Sequence, residues 1–420
     1  MRRALRARPA RRIATGVKRS PTLPARLRVL LLVMGLACLP APAVAGKDAV
    51  AVPASAATGL LDFSPAERAL IAAHGPWPRA AEPDASNRVE RRRAAVDFGR
   101  RLFFDATLSA DGRTACASCH VPARAFQDGR ATAVARAAGV RNTPSLLDVA
   151  QWRWFGWGGT HDSLWSASLA PLLDASEMGS DVATLARRVR DTPALAAGYR
   201  AAFGQDPGRD DEAVVVDLAK ALAAYQATLT SPRTAFDEFR DALLAGDRAR
   251  AARYPLAAQR GLKLFVGEGR CALCHAGPHF SHGEFADIGI PFFVAGGVDS
   301  GRHAGLGRLL ASPHNRLGRF NDAARGADGL PADPRALLTR HLVIEHRHFG
   351  EFRVPSLRQL AHTAPYMHDG SLPTLEAVVR HYSELNEERL HADGERLLRP
   401  LKLSEAQAAD LLAFLRSLSR

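Results

Sequence analysis

The sequence predicts a mainly α-helical protein built from two similar halves, with long loops between its helices. Three observations support this prediction: apolar residues recur at helical spacing, strand signals are few, and one set of short motifs occurs twice in the same order. The chain has 420 residues. About 375 of them follow the N-terminal leader described below, a length typical of two or three domains.

Start and stop signals place the individual helices. Ser64-Pro65-Ala66-Glu67 combines an N-cap, a proline at the first helical position and a capping-box glutamate, and Gly75-Pro76 should end this helix. Residues 181–203 and 211–229 each carry apolar residues at helical spacing, which predicts two further helices. A second capping box opens a last helix over residues 404–418.

The repeated motifs define the two halves. They occur as three pairs: Gly99-Arg-Arg-Leu-Phe103 with Gly261-Leu-Lys-Leu-Phe265, Pro144-Ser-Leu146 with Pro355-Ser-Leu357, and Trp157-Gly-Gly159 with His368-Asp-Gly370. We therefore expect a signal peptide at 1–45, a flexible lead-in at 46–61, and two equivalent domains at 62–250 and 251–420. Residues 276–341 interrupt the second domain with a segment rich in Gly, Arg and His. Either an ordered loop beside a cofactor or a surface insertion would explain this segment.

Each half contains one Cys-x-x-Cys-His motif: Cys116, Cys119 and His120 in the first, and Cys271, Cys274 and His275 in the second. Two thiols at this spacing can each form a thioether with a haem vinyl group, and the adjacent histidine then reaches the iron. The alternatives are a zinc site and a disulfide within each motif. Zinc motifs usually bring their two halves within a few dozen residues, whereas these two motifs are far apart. The pattern favours two covalently bound c-type haems, with His120 and His275 as iron ligands.

The leader explains the high net charge. Its 45 residues contain nine Arg, one Lys and no acidic residue, followed by an apolar run and a small-residue cleavage site, which is the pattern of a secretory signal peptide. The formal net charge of +13 falls to +3 once these ten cationic residues are removed. Nucleic-acid binding therefore loses its main support. After the leader, no apolar run reaches the length needed to span a bilayer. We expect an exported, periplasmic protein, because haem is attached there after export.

The motifs together resemble the bacterial di-haem cytochrome c peroxidase superfamily. The resemblance is carried by the following residues: Gly99-Arg-Arg-Leu-Phe-Phe-Asp105, the first haem motif, Ala125-Phe-Gln-Asp-Gly129, Arg141-Asn-Thr-Pro-Ser-Leu146, Trp157-Gly-Gly159, Val354-Pro-Ser-Leu357 and Thr363-Ala-Pro-Tyr-Met-His-Asp-Gly370. Within the superfamily, Tyr366 to Ser371 followed by His381-Tyr382-Ser383-Glu384 is closest to the MauG branch. The resemblance implies an all-α fold of two tandem cytochrome c-like domains, each carrying one covalent c-type haem, with long loops.

The resemblance also assigns the distal ligand of the second haem. Ordinary members have a methionine fourteen residues after the Tyr-x-His-Asp-Gly histidine, whereas this chain has Tyr382, as MauG-type enzymes do. A phenolate is a hard, anionic donor that favours oxidised iron, so this haem would store an oxidising equivalent. The alternative is that Tyr382 is a core aromatic and that His381 or Met367 binds the iron.

The first haem is expected to have an open distal face. Members that need reductive activation have a distal histidine about sixteen residues after the proximal one, and this chain has no histidine between His120 and His161. By the family's spacing, Glu177 would be the distal acid–base group, unless it is a surface residue. Trp157 would relay an electron hole between the haems, unless it only fills the core. The usual distal glutamine is replaced by Ala167, which removes a hydrogen-bond donor.

The resemblance further implies one calcium ion between the domains, held by oxygens of Asn142, Thr363 and Pro365. His368 would hydrogen-bond near a haem propionate or near this site. The predicted activity is that of a di-haem peroxidase-type oxidoreductase acting on hydrogen peroxide, with dioxygen left open as the natural oxidant. Its donor would be a small cytochrome c or cupredoxin. Alternatively, it would oxidise a Trp or Tyr of a partner protein as MauG-type enzymes do, or it would be a non-catalytic electron-transfer cytochrome.

Overall fold

The helices of the N-terminal half follow the start signals closely. The computed structural model describes residues 59–294, 297–394 and 397–420, so the predicted signal peptide and most of the lead-in lie outside the described residues. The helices up to residue 251 are α1 Pro65–Ala73, α2 Arg93–Phe103, α3 Cys116–Cys119, α4 Leu164–Leu173, α5 Val182–Asp191, α6 Pro193–Phe203, α7 Asp211–Gln226, α8 Ala235–Leu244 and α9 Arg248–Ala251.

The C-terminal half contains fewer helices and all four short strands. The helices are α10 Leu256–Val266, α11 Arg302–Ala311, α12 Pro334–Arg340, α13 Leu375–Ser383 and α14 Glu405–Arg416. The strands are β1 Phe285–Ala286, β2 Phe293–Val294, β3 Gly297–Val298 and β4 Phe352–Arg353. Strand β1 pairs antiparallel with β4, and β2 pairs antiparallel with β3. Single 3₁₀ turns complete the description: Ala106–Leu108, Pro122–Arg124, Val149–Gln151, Cys271–Leu273, His346–His348, Leu360–His362 and Glu387–Arg389.

Both predicted capping boxes are present. The hydroxyl of Ser64 accepts from the amide of Glu67 at the start of α1, and Ser404 and Gln407 do the same at the start of α14. The single helix predicted over 181–203 is wrong, because the chain forms α5 and α6 with a break at Thr192. Pro193 has no N–H to continue the hydrogen-bond ladder of α5, but it suits the first position of a new helix.

The helix that precedes each Cys-x-x-Cys-His motif crosses a later helix of its half in the same way. A Cβ on Gly99 of α2 would lie 1.8 Å from the carbonyl oxygen of Ala221 in α7. A Cβ on Gly261 of α10 would lie 2.0 Å from the carbonyl oxygen of Asp410 in α14. Each repeated glycine is therefore required for two helix backbones to touch.

The described chain contains two large clusters of buried apolar side chains. The first cluster takes its members from residues 89–225, including helices α2 and α4 to α7. The second cluster takes its members from residues 236–418, together with Phe63 and Ile71 near the N-terminus. Helices α1 and α8 thus contribute to the second cluster although they precede residue 251. Among the described residues, no helix has the length and apolar character needed to cross a bilayer.

Candidate functional site

The first Cys-x-x-Cys-His motif forms one helical turn, α3, that ends at His120. The amide of His120 donates to the carbonyl of Cys116 at 2.9 Å, which closes the turn. The imidazole Nδ1 lies 3.0 Å from the carbonyl oxygen of Phe126. A carbonyl can only accept, so Nδ1 carries the proton and Nε2 keeps the lone pair that a metal ligand needs. Burial lowers the pKa of His120, which favours this neutral form.

The second motif repeats this arrangement. The amide of His275 donates to the carbonyl of Cys271 at 2.9 Å, and its Nδ1 donates to the carbonyl of Phe280 at 2.9 Å. Burial lowers the pKa of His275 to about 4. Both histidines are therefore neutral and oriented, with Nε2 available, as a hydrogen-bonded iron ligand must be.

The serine of each repeated Pro-Ser-Leu motif hydrogen-bonds to the segment whose carbonyl accepts from the motif histidine. Ser145 donates its hydroxyl to the carbonyl of Ala125 at 2.5 Å, and Ser356 donates to the carbonyl of His279 at 2.8 Å. In each half, the accepting residue directly precedes the phenylalanine whose carbonyl holds the motif histidine. The sequence repeat is therefore also a repeat of hydrogen bonds, and it fixes the orientation of the two imidazoles.

The surroundings of the thiols suit thioethers better than thiolates. Burial raises the pKa of Cys116 to about 12 and that of Cys271 to about 12, so the ionised form that zinc requires is disfavoured. No disulfide joins any of the described cysteines. No described group that brings three metal-binding His, Cys, Asp or Glu atoms together includes a residue of either motif. Neither alternative for these motifs gains support from the described structure.

A cavity of about 800 Å³ lies against the second motif and fits a haem. Apolar side chains line much of it: Leu357, Leu375, Val379, Leu411 and Leu415. Cys271, Cys274 and His275 reach it from one side. In the wall, the buried Nε and Nη1 of Arg353 and Nε2 of His368 have no hydrogen-bond partner in the described chain. Haem propionates would satisfy such donors, so the donor set, the apolar lining and the unpaired polar atoms all fit the group.

Tyr382 lines the same cavity from helix α13. Burial raises the pKa of its phenol, and charge on Cys271 and Cys274 raises it further, so the phenol lies within electrostatic reach of both thiols. His381 is engaged elsewhere, with its Nε2 2.8 Å from the carbonyl of Ile288. Met367 also lines the cavity. Two of the three predicted candidates for the distal ligand, Tyr382 and Met367, therefore line the cavity.

Glu177 lies in the turn between α4 and α5. Its amide donates to the carbonyl of Asp174 at 3.0 Å, and its side chain is exposed. Even so, desolvation by the surrounding protein raises its pKa, and the negative charge of Asp174 adds to the shift. The charge of Glu177 in turn raises the pKa of Cys116 and Cys119. The carboxyl group therefore lies near the two positions where the first haem would be attached.

Met178, which follows Glu177, and Ala167, at the usual position of the distal glutamine, both belong to or contact the first apolar cluster. Met178 is buried in that cluster, and Ala167 on α4 packs against it. His161 is half-buried; its Nδ1 lies 3.1 Å from the hydroxyl of Ser166, and desolvation lowers its pKa to about 4.

Trp157 connects the two halves of the chain. Its indole Nε1 donates to the carbonyl of Asn142 at 2.8 Å, and its own carbonyl accepts from the amide of Arg353 at 2.8 Å. The indole is 9% exposed and lines the cavity. Trp165, by contrast, lies in the first cluster and donates to the hydroxyl of Ser86.

The three predicted calcium ligands line the same cavity: Asn142, Thr363 and Pro365. The side-chain Nδ2 of Asn142 donates to the carbonyl of Arg130 at 2.7 Å, which directs its Oδ1 away from that contact. The carbonyl of Thr363 accepts a long hydrogen bond of 3.3 Å from Gln127. These are oxygen donors of the kind a hard cation prefers.

Three features of the site were missed by the sequence reasoning. Arg353 lies in the cavity wall with its guanidinium over the ring of Trp152, and burial lowers its pKa to about 10. Gln127 is buried and donates to the carbonyl of Ala364 at 3.0 Å. Arg302, within the interrupting segment, lines the cavity and donates to the carbonyl of Gly159. Only the run Phe352-Arg353-Val354, a charge between apolar residues, signals any of these in the sequence.

Comparison with known proteins shows the family of this chain. The di-haem cytochrome c peroxidase family profile matches residues 93–245. The methylamine utilization protein MauG of Methylorubrum extorquens is 32% identical over 375 residues, covering 89% of this chain and 91% of that protein. Cytochrome-c peroxidase IdrP1 of Denitromonas iodatirespirans is 33% identical over 382 residues, covering 88% and 90%.

Solved structures agree with the fold. A MauG-like protein associated with microbial copper homeostasis superposes with a TM-score of 0.59 at 27% identity, over 82% of this chain and 95% of that one. The di-haem peroxidase BthA of Burkholderia thailandensis has the same TM-score of 0.59 at 23% identity, over 82% and 91%, a similarity of fold alone. The family implies two c-type haems. The chain therefore belongs to the di-haem cytochrome c peroxidase family of oxidoreductases.

Proposed function

We propose that this protein is a periplasmic di-haem enzyme that reduces hydrogen peroxide at its N-terminal haem and shares the oxidising equivalents with its C-terminal haem. The two haem domains would be residues 62–250 and 251–420, behind a cleaved signal peptide at 1–45. When bound, the two haems supply the redox chemistry, and the protein supplies attachment, orientation and proton transfer. The observation that carries the proposal is the duplicated motif in which His120 and His275 are held by equivalent hydrogen bonds.

Glu177 would move the proton in peroxide cleavage. Its carboxylate accepts a proton from the near oxygen of hydrogen peroxide and returns it to the leaving oxygen, which departs as water. The raised pKa of Glu177 suits this role, because a group that both accepts and donates works best when its pKa approaches the working pH. Its position near Cys116 and Cys119 supports this assignment.

Trp157 and Tyr382 would handle the oxidising equivalents. The Trp157 indole donates to the carbonyl of Asn142, and the backbone carbonyl of Trp157 accepts from the amide of Arg353, so Trp157 would pass an electron from a position that contacts both halves. Tyr382 would bind the second iron through its phenol oxygen, with Met367 as the competing ligand. Asn142, Thr363 and Pro365 would hold one calcium ion that stabilises this arrangement.

Two outlets for the oxidising equivalents remain distinct proposals. A small reduced cytochrome c or cupredoxin would give net reduction of peroxide to water. Oxidation of a Trp or Tyr on a partner protein is favoured by Tyr382 at the cavity and by the similarity to MauG proteins over most of the chain. A pure electron-transfer cytochrome would leave the position of Glu177 unexplained.

Turnover measurements separate the peroxidase from the electron-transfer cytochrome. Purified holoprotein is mixed with hydrogen peroxide and a reduced small cytochrome c or cupredoxin, and donor oxidation is followed optically. Peroxide-dependent oxidation that falls in Trp157→Phe but not in the core control Trp165→Phe would support both the activity and the relay. A holoprotein that carries two haems and consumes no peroxide with any donor would refute the proposed enzyme.

A further inference from the structure

A group of three side chains outside the haem sites has the composition of a metal-binding site. His346, His391 and Asp393 each present one ligand atom, and these atoms all lie within 4.8 Å of one another. Within residues 59–294, 297–394 and 397–420, no other group of three His, Cys, Asp or Glu residues meets that distance. The three residues come from two separate segments, the 3₁₀ turn at 346–348 and the loop that follows residue 389.

The contacts within the group are those a metal ion would replace. His346 Nδ1 lies 2.8 Å from Asp393 Oδ2, with one proton between them. The ring of His391 lies 4.9 Å from that of His346. The amide of Asp393 donates to Nδ1 of His391 at 3.3 Å, so this nitrogen is unprotonated and its lone pair faces the segment that carries Asp393. Two imidazoles and a carboxylate are ligands that suit Zn²⁺ and similar divalent ions.

An ordinary surface ion pair is the simpler explanation of this group, but it accounts for only two of the three side chains. It explains the contact between His346 and Asp393, which are both exposed, and such pairs contribute little to stability. It gives no reason for a second imidazole beside the first. Two charged imidazolium rings at this distance would repel each other, whereas two neutral rings around one cation would be held together.

The group lies beside the cavity of the second motif. Arg347 and His348, which directly follow His346, line that cavity, and so do residues 397–401, a few positions after Asp393. The amide of His391 donates to Asp287 at 2.6 Å, and Asp287 also lines the cavity. A link between the two segments would therefore fix two parts of the cavity rim to each other.

We propose that His346, His391 and Asp393 form a binding site for one divalent transition-metal ion of the Zn²⁺ class, which joins the two segments at the rim of the cavity. Binding displaces the proton between His346 and Asp393 and releases it to solvent. Water completes the coordination, since three protein ligands leave a tetrahedral ion one open position. This proposal does not depend on the peroxidase activity.

The direct test is Zn²⁺ binding to the purified two-haem protein. Equilibrium dialysis against Zn²⁺ with excess Ca²⁺, followed by elemental analysis, should find one zinc for every two irons. His346→Ala and His391→Ala should each weaken binding at least about tenfold, since even outer-shell changes cost that much. His362→Ala is the matched control, because His362 is an exposed histidine outside the group, with its Nε2 2.9 Å from the carbonyl of Arg420.

Hydrogen exchange adds an independent readout. Zn²⁺ should slow exchange of the amides at 345–348 and 391–394 in the unaltered protein and in the His362→Ala control, but not in the other two variants. Zinc binding that is equally strong in all four proteins would place the ion elsewhere and overturn the proposal. So would the absence of any binding at micromolar zinc.

Discussion

Replacement of Glu177 by glutamine tests the proposed proton transfer most specifically. The amide has nearly the same size, and the backbone contact to Asp174 does not involve the side chain, so the turn between α4 and α5 should keep its structure. What is lost is the ability to accept a proton. A positioned acid–base group contributes about 10²–10⁴-fold to a rate, so peroxide-dependent turnover should fall by that factor. This corresponds to about 3–5 kcal/mol of activation free energy.

The pH dependence gives a sharper form of the same test. Desolvation and the charge of Asp174 raise the pKa of Glu177, so its carboxyl keeps a proton up to a higher pH than an ordinary glutamate does. Activity that needs the carboxylate should therefore decline, as the pH falls, earlier than an ordinary glutamate would predict. Asp174→Asn removes one cause of the raised pKa and should move this acid limb to lower pH. Asparagine keeps the Oδ1 that accepts from the amide and hydroxyl of Ser176, so the turn remains capped.

Stopped-flow mixing with hydrogen peroxide measures both effects, with haem content determined for each variant. Glu405→Gln serves as the control, since Glu405 is an exposed residue in the first turn of α14. If Glu177→Gln turns over at the unaltered rate with both haems attached, Glu177 has no part in the reaction. If Asp174→Asn leaves the acid limb where it was, a different group controls it.

Three further predictions concern the fold, the second haem and the calcium site. Gly261→Ala should destabilise the protein by about 3 kcal/mol or more in denaturant unfolding, because the added Cβ would lie 2.0 Å from the carbonyl oxygen of Asp410. The control Gly307→Ala on α11 should be neutral or stabilising, because the atom nearest to its added Cβ is 4.0 Å away. Equal effects of the two substitutions on unfolding would contradict the close helix crossing. Tyr382→Phe should change the optical spectrum and the reduction potential of the second haem, and an unchanged spectrum would point to Met367. Thorough chelation of calcium should reduce activity and loosen the region around Asn142, measurable as faster hydrogen exchange, and an indifferent enzyme would remove Asn142 as a ligand.

The sequence predicted local structure best where a short pattern of neighbouring residues requires one particular set of contacts. The repeated Cys-x-x-Cys-His spacing indicated two equivalent motifs, and the structure shows an equivalent turn and imidazole hydrogen bond at both His120 and His275. The capping boxes at Ser64 and Ser404 predicted the starts of α1 and α14 correctly. Such local signals are reliable because the residues that satisfy each other lie within six positions in the chain.

The sequence predicted less where partners are distant in the chain. Apolar spacing continues through Pro193, so periodicity alone hid the break between α5 and α6. Arg353 reads as one arginine among many, and only the fold places it in the cavity wall with unpaired donors. The segment at 276–341 offered two interpretations, and the structure shows that it contains α11 and lines the cavity through residues such as Arg302.

Electron paramagnetic resonance of the resting ferric holoprotein tests the central claim most directly. As proposed, the first iron would have a single protein ligand, His120, and the second iron would have two, His275 and Tyr382. This assignment therefore predicts one high-spin and one low-spin signal of equal intensity, both altered when hydrogen peroxide is added. Two low-spin signals that do not respond to peroxide would contradict it.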